Sequence, residues 1–309
     1  MGSMRPIIQF VLFSTCFLLF TQFASAQQQA DPEFDTRVAK PAFTKNYPRV
    51  LFDEAHNNFH TTNGRYKPFS DLLTNDGYHI VRNLKTFAKQ SLTTFKVLVI
   101  ANAIGADDMD EEGADRSAFT DGECDAVRDW VKEGGALLLI ADHAPFGGAA
   151  ENLGKRFGVE MSKGYTFDPE NHLKELASPT ILVFSLENQL LLAHAITRGR
   201  NDTEKVSRVI AFTGQSLKGP EGSSVFLSLA DTARDKADRE STESTSAKGR
   251  AQGIAFKFGS GRVVVLGEAA MLSAQLAGSE RQPMGMNYPG SDNRQLALNI
   301  MHWLSGSLK

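Results

Sequence analysis

The sequence predicts an α/β fold: a doubly wound, mainly parallel sheet with helices on both faces, and extra strands plus a hairpin in the second half. Three observations carry that expectation. Short apolar runs alternate with amphipathic helical segments through the first half. The runs are apolar at consecutive positions, as strands buried on both faces are. Three of them stop at carboxylate or imidazole residues, where open parallel sheets place their ligands.

Arg49-Val50-Leu51-Phe52-Asp53 reads as a first strand ending in a polar cluster. Tyr66, Phe69, Leu72 and Leu73 recur at helical spacing, and Asn75-Asp76-Gly77 stops that helix. Tyr78 to Val81 and Lys96 to Ile100 are the second and third strands, and the acidic, Gly-containing stretch from Asn102 to Arg116 is a loop. Thr120 with Glu123 three residues later forms a capping box, opening a helix that turns Val127, Trp130 and Val131 inward. Gly134-Gly135 ends it, Ala136 to Ala141 is the fourth strand, and Asp142 to Gly148 turns into a helix over Ala149 to Phe157.

The second half is less regular, with strands expected at Thr180 to Phe184, Val206 to Phe212 and Ser224 to Leu229 and a link at Ala193 to Gly199. Asp231 to Arg250 has almost no large apolar residue and reads as a mobile loop. Gln252 to Phe258 and Arg262 to Leu266, joined by Gly259-Ser260-Gly261, form a hairpin. Leu296, Ile300, Trp303 and Leu304 make one face of a closing helix from Asn293. The expected division is a signal peptide at 1–26, a flexible leader at 27–48 and a single domain at 49–305; no internal repeat is visible.

Composition narrows the function classes. With 41% hydrophobic and 22% charged residues the 309-residue chain is globular, and a formal charge of -3 offers no basic field for nucleic acid or a polybasic membrane contact. Arg5, the apolar stretch Ile7 to Phe20 and the small residues of Ala24-Ser25-Ala26 have the order of a secretory signal, with an uncleaved anchor as the alternative. The expected location is therefore periplasmic or extracellular, with no stable membrane insertion after cleavage. Cys16 lies in that segment, its Phe13-Ser14-Thr15 lead-in suits lipidation poorly, and Cys124 is left without a disulfide partner.

The strand ends supply the candidate site: Asp53, Glu54, His56 and His60 after the first strand, Asp142 and His143 after the fourth, and Glu268 after the late strand. Each of these could instead be a cap, a turn residue or a satisfied surface histidine. Together they make a mixed nitrogen and oxygen set at one crevice, in which Asp53, His56, His143 and Glu268 are candidate ligands for zinc, manganese or iron. His56 and His60 are four apart, but the intervening and following Asn, Thr and Gly favour a loop over a helical pair. Gly147-Gly148 lacks a phosphate-loop signature, and neither Ser216 nor Ser273 sits in a nucleophile elbow. Asn201-Asp202-Thr203 has the glycosylation pattern, which matters only in a eukaryotic source.

Three stretches taken together resemble the class I glutamine amidotransferase-like superfamily: Arg49-Val50-Leu51-Phe52-Asp53-Glu54-Ala55-His56, Trp130 to Asp142, and Gly259 to Glu268. More narrowly, with a closing helix bearing Trp303-Leu304, they resemble its uncharacterised branch related to gliding-motility and intraflagellar-transport domains. The likeness spans Arg49 to Leu304 and implies a flavodoxin-like sheet. It also implies a nucleophilic cysteine at the turn after the fourth strand, where this chain has Ala141-Asp142-His143-Ala144-Pro145 instead. Cys124, beside Asp121, Glu123 and Asp125, is no substitute, because that electronegative setting raises a thiol pKa. The expectation is an exported domain without glutaminase activity, binding a small molecule or glycan or serving as an accessory protein. The competing reading is a metal-assisted hydrolase using the carboxylates and imidazoles of the same crevice.

Overall fold

The computed structural model describes residues 28–309, so the expected signal peptide at 1–26 lies outside the described residues. The main sheet has nine strands: β1 (Arg49–Asp53), β2 (His79–Asn83), β3 (Val97–Ala101), β4 (Ala136–Ile140), β5 (Glu160–Met161), β6 (Leu217–Lys218), β7 (Ser224–Ser228), β8 (Ala251–Phe258) and β9 (Gly261–Leu266). Its order is β2-β1-β3-β4-β9-β8-β6-β5, with β7 pairing β8. From β2 to β9 every pairing is parallel, and beyond β9 every pairing is antiparallel. The chain thus forms the mixed α/β, mainly parallel architecture expected from the alternation.

Both faces of the sheet are covered, which is why its central strands are apolar at every position. On one side α1 (Lys67–Asn75) and the closing helix meet Val50, Phe52, Val99, Leu138 and Val264. On the other, α2 (Asp121–Lys132) and α3 (Phe146–Arg156) meet Leu51, Leu98, Ile100, Leu137 and Val265. The closing helix, α4 (Asn293–Ser305), buries Leu296, Ile300, Trp303 and Leu304 as its spacing predicts. It also buries His302, whose Nε2 lies 2.6 Å from the Asp76 carboxylate at the C-cap of α1.

Two expectations of looseness meet packed structure. In the segment expected as a flexible leader, Gln29–Ala30 pairs with Leu276 and Gln275, and Phe34, Val38 and Phe43 pack against the core. Asp76 holds this segment by accepting the Ala42 N–H at 2.8 Å. In the expected mobile loop at 231–250, Arg234–Lys236 lies between Tyr165–Phe167 and Thr245–Ser246 in a small antiparallel sheet. Its anchors, Ala233 and Ala247, are fully buried but too small to register as apolar pattern. The strands Ile181–Ser185 and Arg208–Phe212 pair with each other in a separate antiparallel ribbon.

Candidate functional site

Parallel strands point their carboxyl ends the same way, so residues just beyond β1, β4 and β9 gather along one edge. The seven candidates resolve there into three groups.

The first centres on His56, held between two carboxylates. Its Nδ1 lies 2.8 Å from Asp53 Oδ2 and its Nε2 lies 2.9 Å from Glu123 Oε1. Phe87 and Phe119 flank the ring, at centroid distances of 4.8 and 4.7 Å. Burial opposes charge on the ring, but the bonds and charges of Asp53 and then Glu123 outweigh it and raise the pKa above 6.5. Both ring nitrogens face carboxylate oxygens, a geometry that favours the protonated ring and directs neither nitrogen toward a metal. Asn83 Nδ2 donates to Asp53 at 3.0 Å, and the Phe87 and Thr120 N–H groups donate to Glu123, each at 3.0 Å. Glu123 had been legible only as half of a capping box; it also joins α2 to the loop after β1.

The second group braces that loop. Glu54 accepts from the Thr62 N–H at 2.8 Å and its hydroxyl at 2.6 Å, and from Arg82 Nε at 2.6 Å. All its hydrogen bonds run to neighbouring loop and strand residues, so its part is in positioning.

The third group brings the ends of β4 and β9 together. The Asp142 N–H donates to Asn102 Oδ1 at 3.0 Å, and the Asp142 carboxylate accepts the His143 N–H at 2.8 Å. Glu268 accepts the Ala270 and Met271 N–H groups at 2.6 and 2.7 Å. No basic residue pairs with either carboxyl among the described ion pairs. Burial pushes Asp142 up, against the lowering influence of the His143 ring; burial and then the charge of Asp142 push Glu268 well above 4.5. Both shifts are in the direction of the protonated carboxyl.

Tyr66, legible only as a core position, belongs to this group. Its hydroxyl donates to the Ala269 carbonyl at 2.6 Å, and burial, Glu268 and Asp142 all keep it protonated. His60 stacks on Tyr66 with ring centroids 4.7 Å apart, its Nδ1 buried without a partner. Burial brings its pKa down to about 3, so it is neutral. His143 stacks on Tyr165 at 4.5 Å and donates from Nδ1 to the Ala144 carbonyl at 2.6 Å, leaving Nε2 as its remaining polar atom. Asp142 and His143 keep 7% and 9% exposure, whereas Glu268 is fully enclosed.

Gln215 fixes the turn itself. Its Nε2 donates to the Ala141 and Asp142 carbonyls at 2.9 Å each, and its Oε1 accepts the Lys163 N–H at 2.8 Å. A Cβ on Gly147 would lie 2.4 Å from that amide, so Gly147 makes room for Gln215, while Gly148 makes room for the Asp115 carbonyl at 2.7 Å.

Asp53 and His56 meet, and so do Asp142, His143 and Glu268, but they form separate clusters. Among the described residues no group of three or more His, Cys, Asp or Glu side chains is disposed to hold one ion. The expected set of Asp53, His56, His143 and Glu268 is therefore not assembled, for a plain reason: His56 is turned toward its two carboxylates.

No protein-family profile and no curated protein sequence matches the chain. Solved structures do. The mmIFT52 N-terminal domain is 15% identical with a TM-score of 0.59, over 83% of this chain and 97% of that one. A cytoplasmic protein from Salmonella typhimurium LT2 is 13% identical with a TM-score of 0.50, over 83% and 99% of the two chains. A ThuA-like protein from Bacteroides uniformis is 12% identical with a TM-score of 0.44, over 89% and 95%. At these identities the first two likenesses establish a shared fold, in agreement with the topology described above.

Proposed function

We propose that the chain is an exported, amidotransferase-like binding domain without glutaminase chemistry, and that the crevice at Asp142, His143 and Glu268 takes a neutral, hydroxyl-rich small molecule or glycan. The observation that supports this reading is the buried carboxyl pair. A carboxyl that keeps its proton donates a hydrogen bond as well as accepting, so the pair suits alcohol groups, which do both. An anionic ligand would meet a second negative charge. The thiol that glutamine hydrolysis requires is missing from the turn, and Cys124 lies on the buried face of α2, packed in the core. Burial pushes its pKa up to about 11, with Asp121, Glu123 and Asp125 adding to the rise against Arg156.

The test is a thermal-shift and calorimetry panel of neutral mono- and oligosaccharides, with sugar acids of matched size, on the wild-type chain and Asp142→Ala. A neutral saccharide that binds wild type and not Asp142→Ala supports the proposal. Binding only by sugar acids, binding retained in Asp142→Ala, or no binding across the panel overturns it.

A further inference from the structure

At the opposite edge of the sheet, where β8 ends and β9 begins, the surface holds a hollow of about 630 Å³. Its size is that of an ordinary small-ligand site. Phe157, Phe256, Phe258 and Trp303 contribute an aromatic lining. Phe157 and Phe258 meet edge to face at 5.0 Å, so the apolar surface is continuous across α3 and β8.

The polar part of the lining is of one character. His194 caps the short helix Ala195–Arg198, its Nδ1 accepting the Ile196 N–H at 3.2 Å, which places the ring proton on Nε2. Burial and the nearby Arg198 charge bring His194 down to about 4, so the ring is a neutral donor. Arg198 and Lys257 are exposed on the lining and have no ion-pair partner among the described residues; Glu221 is its one acidic side chain.

We propose that this hollow is a second binding site, for an organic anion whose carboxylate or sulfonate head is met by Arg198, Lys257 and His194 while its apolar body lies on Phe256 and Trp303. Two cations and a neutral donor against the single carboxylate of Glu221 select the head group, and the aromatic lining selects against a fully hydrated anion such as phosphate. The site shares none of the crevice residues Asp142, His143 and Glu268, so its occupancy does not depend on what the crevice binds.

The probe is 8-anilinonaphthalene-1-sulfonate, which has this composition and accepts energy from tryptophan. Titrated into the chain, it binds with transfer from Trp303; Trp303→Phe keeps affinity within about threefold but loses most of the transfer, Trp130 remaining. The double variant Arg198→Glu, Lys257→Glu, altered only at exposed positions, binds about tenfold more weakly. Benzoate or octanoate displaces the dye, and benzyl alcohol and octanol do not. Unchanged affinity in the double variant, transfer undiminished in Trp303→Phe, displacement by the alcohols as effective as by the acids, or no saturable binding would overturn the site.

Discussion

At the scale of single residues, the buried charged groups of the candidate site have partners, with one exception. His56 is buried between two carboxylates that favour its protonated form, and replacing it by Ala leaves Asp53 and Glu123 facing each other across a void. Removing one member of such a cluster costs about 3 to 5 kcal/mol, so urea denaturation of His56→Ala should show a loss of that order. The pH dependence follows from the same contacts. His56 has a folded pKa above 6.5, so the stability it contributes is complete below that value and declines as pH rises through the folded pKa. Glu123, lowered from 4.5, acts in the other sense, its contribution lost as pH falls below that value. Melting temperature should therefore decline from near neutral to alkaline pH, and His56→Gln should flatten that limb; an equally steep decline in the variant would refute the assignment. The exception is the pair Asp142 and Glu268: burial raises Asp142 against the lowering influence of His143, and burial and then Asp142 raise Glu268.

At the scale of elements, the sequence was legible wherever local pattern and tertiary role agree. The apolar runs became β1, β3 and β4 because both faces of the sheet are covered, and Thr120 with Glu123 opened α2 as a capping box. Thr120→Ala should cost about 1 kcal/mol by denaturation, while Leu137→Ala, a cavity between β4 and α2, should cost about 2 to 5 kcal/mol. A smaller loss at Leu137 than at Thr120 would contradict the two-sided burial. The segment at 231–250 misled because Ala233 and Ala247 anchor it with little side chain, and its strands pair polar residues. In the candidate site the strand-end carboxylates and imidazoles were visible, but their partners were not. Glu123 lies 67 residues from His56 and Tyr66 lies 203 residues from Ala269, separations that only the sheet order closes.

At the scale of the whole molecule, the doubly wound sheet puts Asp142 at the turn after β4, where the proposed function needs no thiol. The first two solved neighbours share that fold at 15% and 13% identity, so the chemistry must be argued from this chain's own residues. A carboxylate cannot do the work of a thiolate, and no ammonia release from glutamine is expected above a boiled control; activity abolished by Cys124→Ser would refute that. The proposed export rests on residues 1–26, and secreted material should begin at or near Gln27 by N-terminal sequencing. Recovery of the intact N-terminus in a membrane fraction would refute it.

In the proposed function, one of the carboxyls of Asp142 and Glu268 keeps its proton, and for that reason the site suits a neutral, hydroxyl-rich ligand. Carbon-13 NMR of the side-chain carboxyls, assigned with Asp142→Asn, reads it directly as pH is raised from acid to neutral. The account predicts that one of the two carboxyls still carries its proton at neutral pH and that removing Asp142 lowers the pKa of Glu268. Two carboxyls that both ionise in the ordinary range, with Glu268 unaffected by Asp142→Asn, would contradict it.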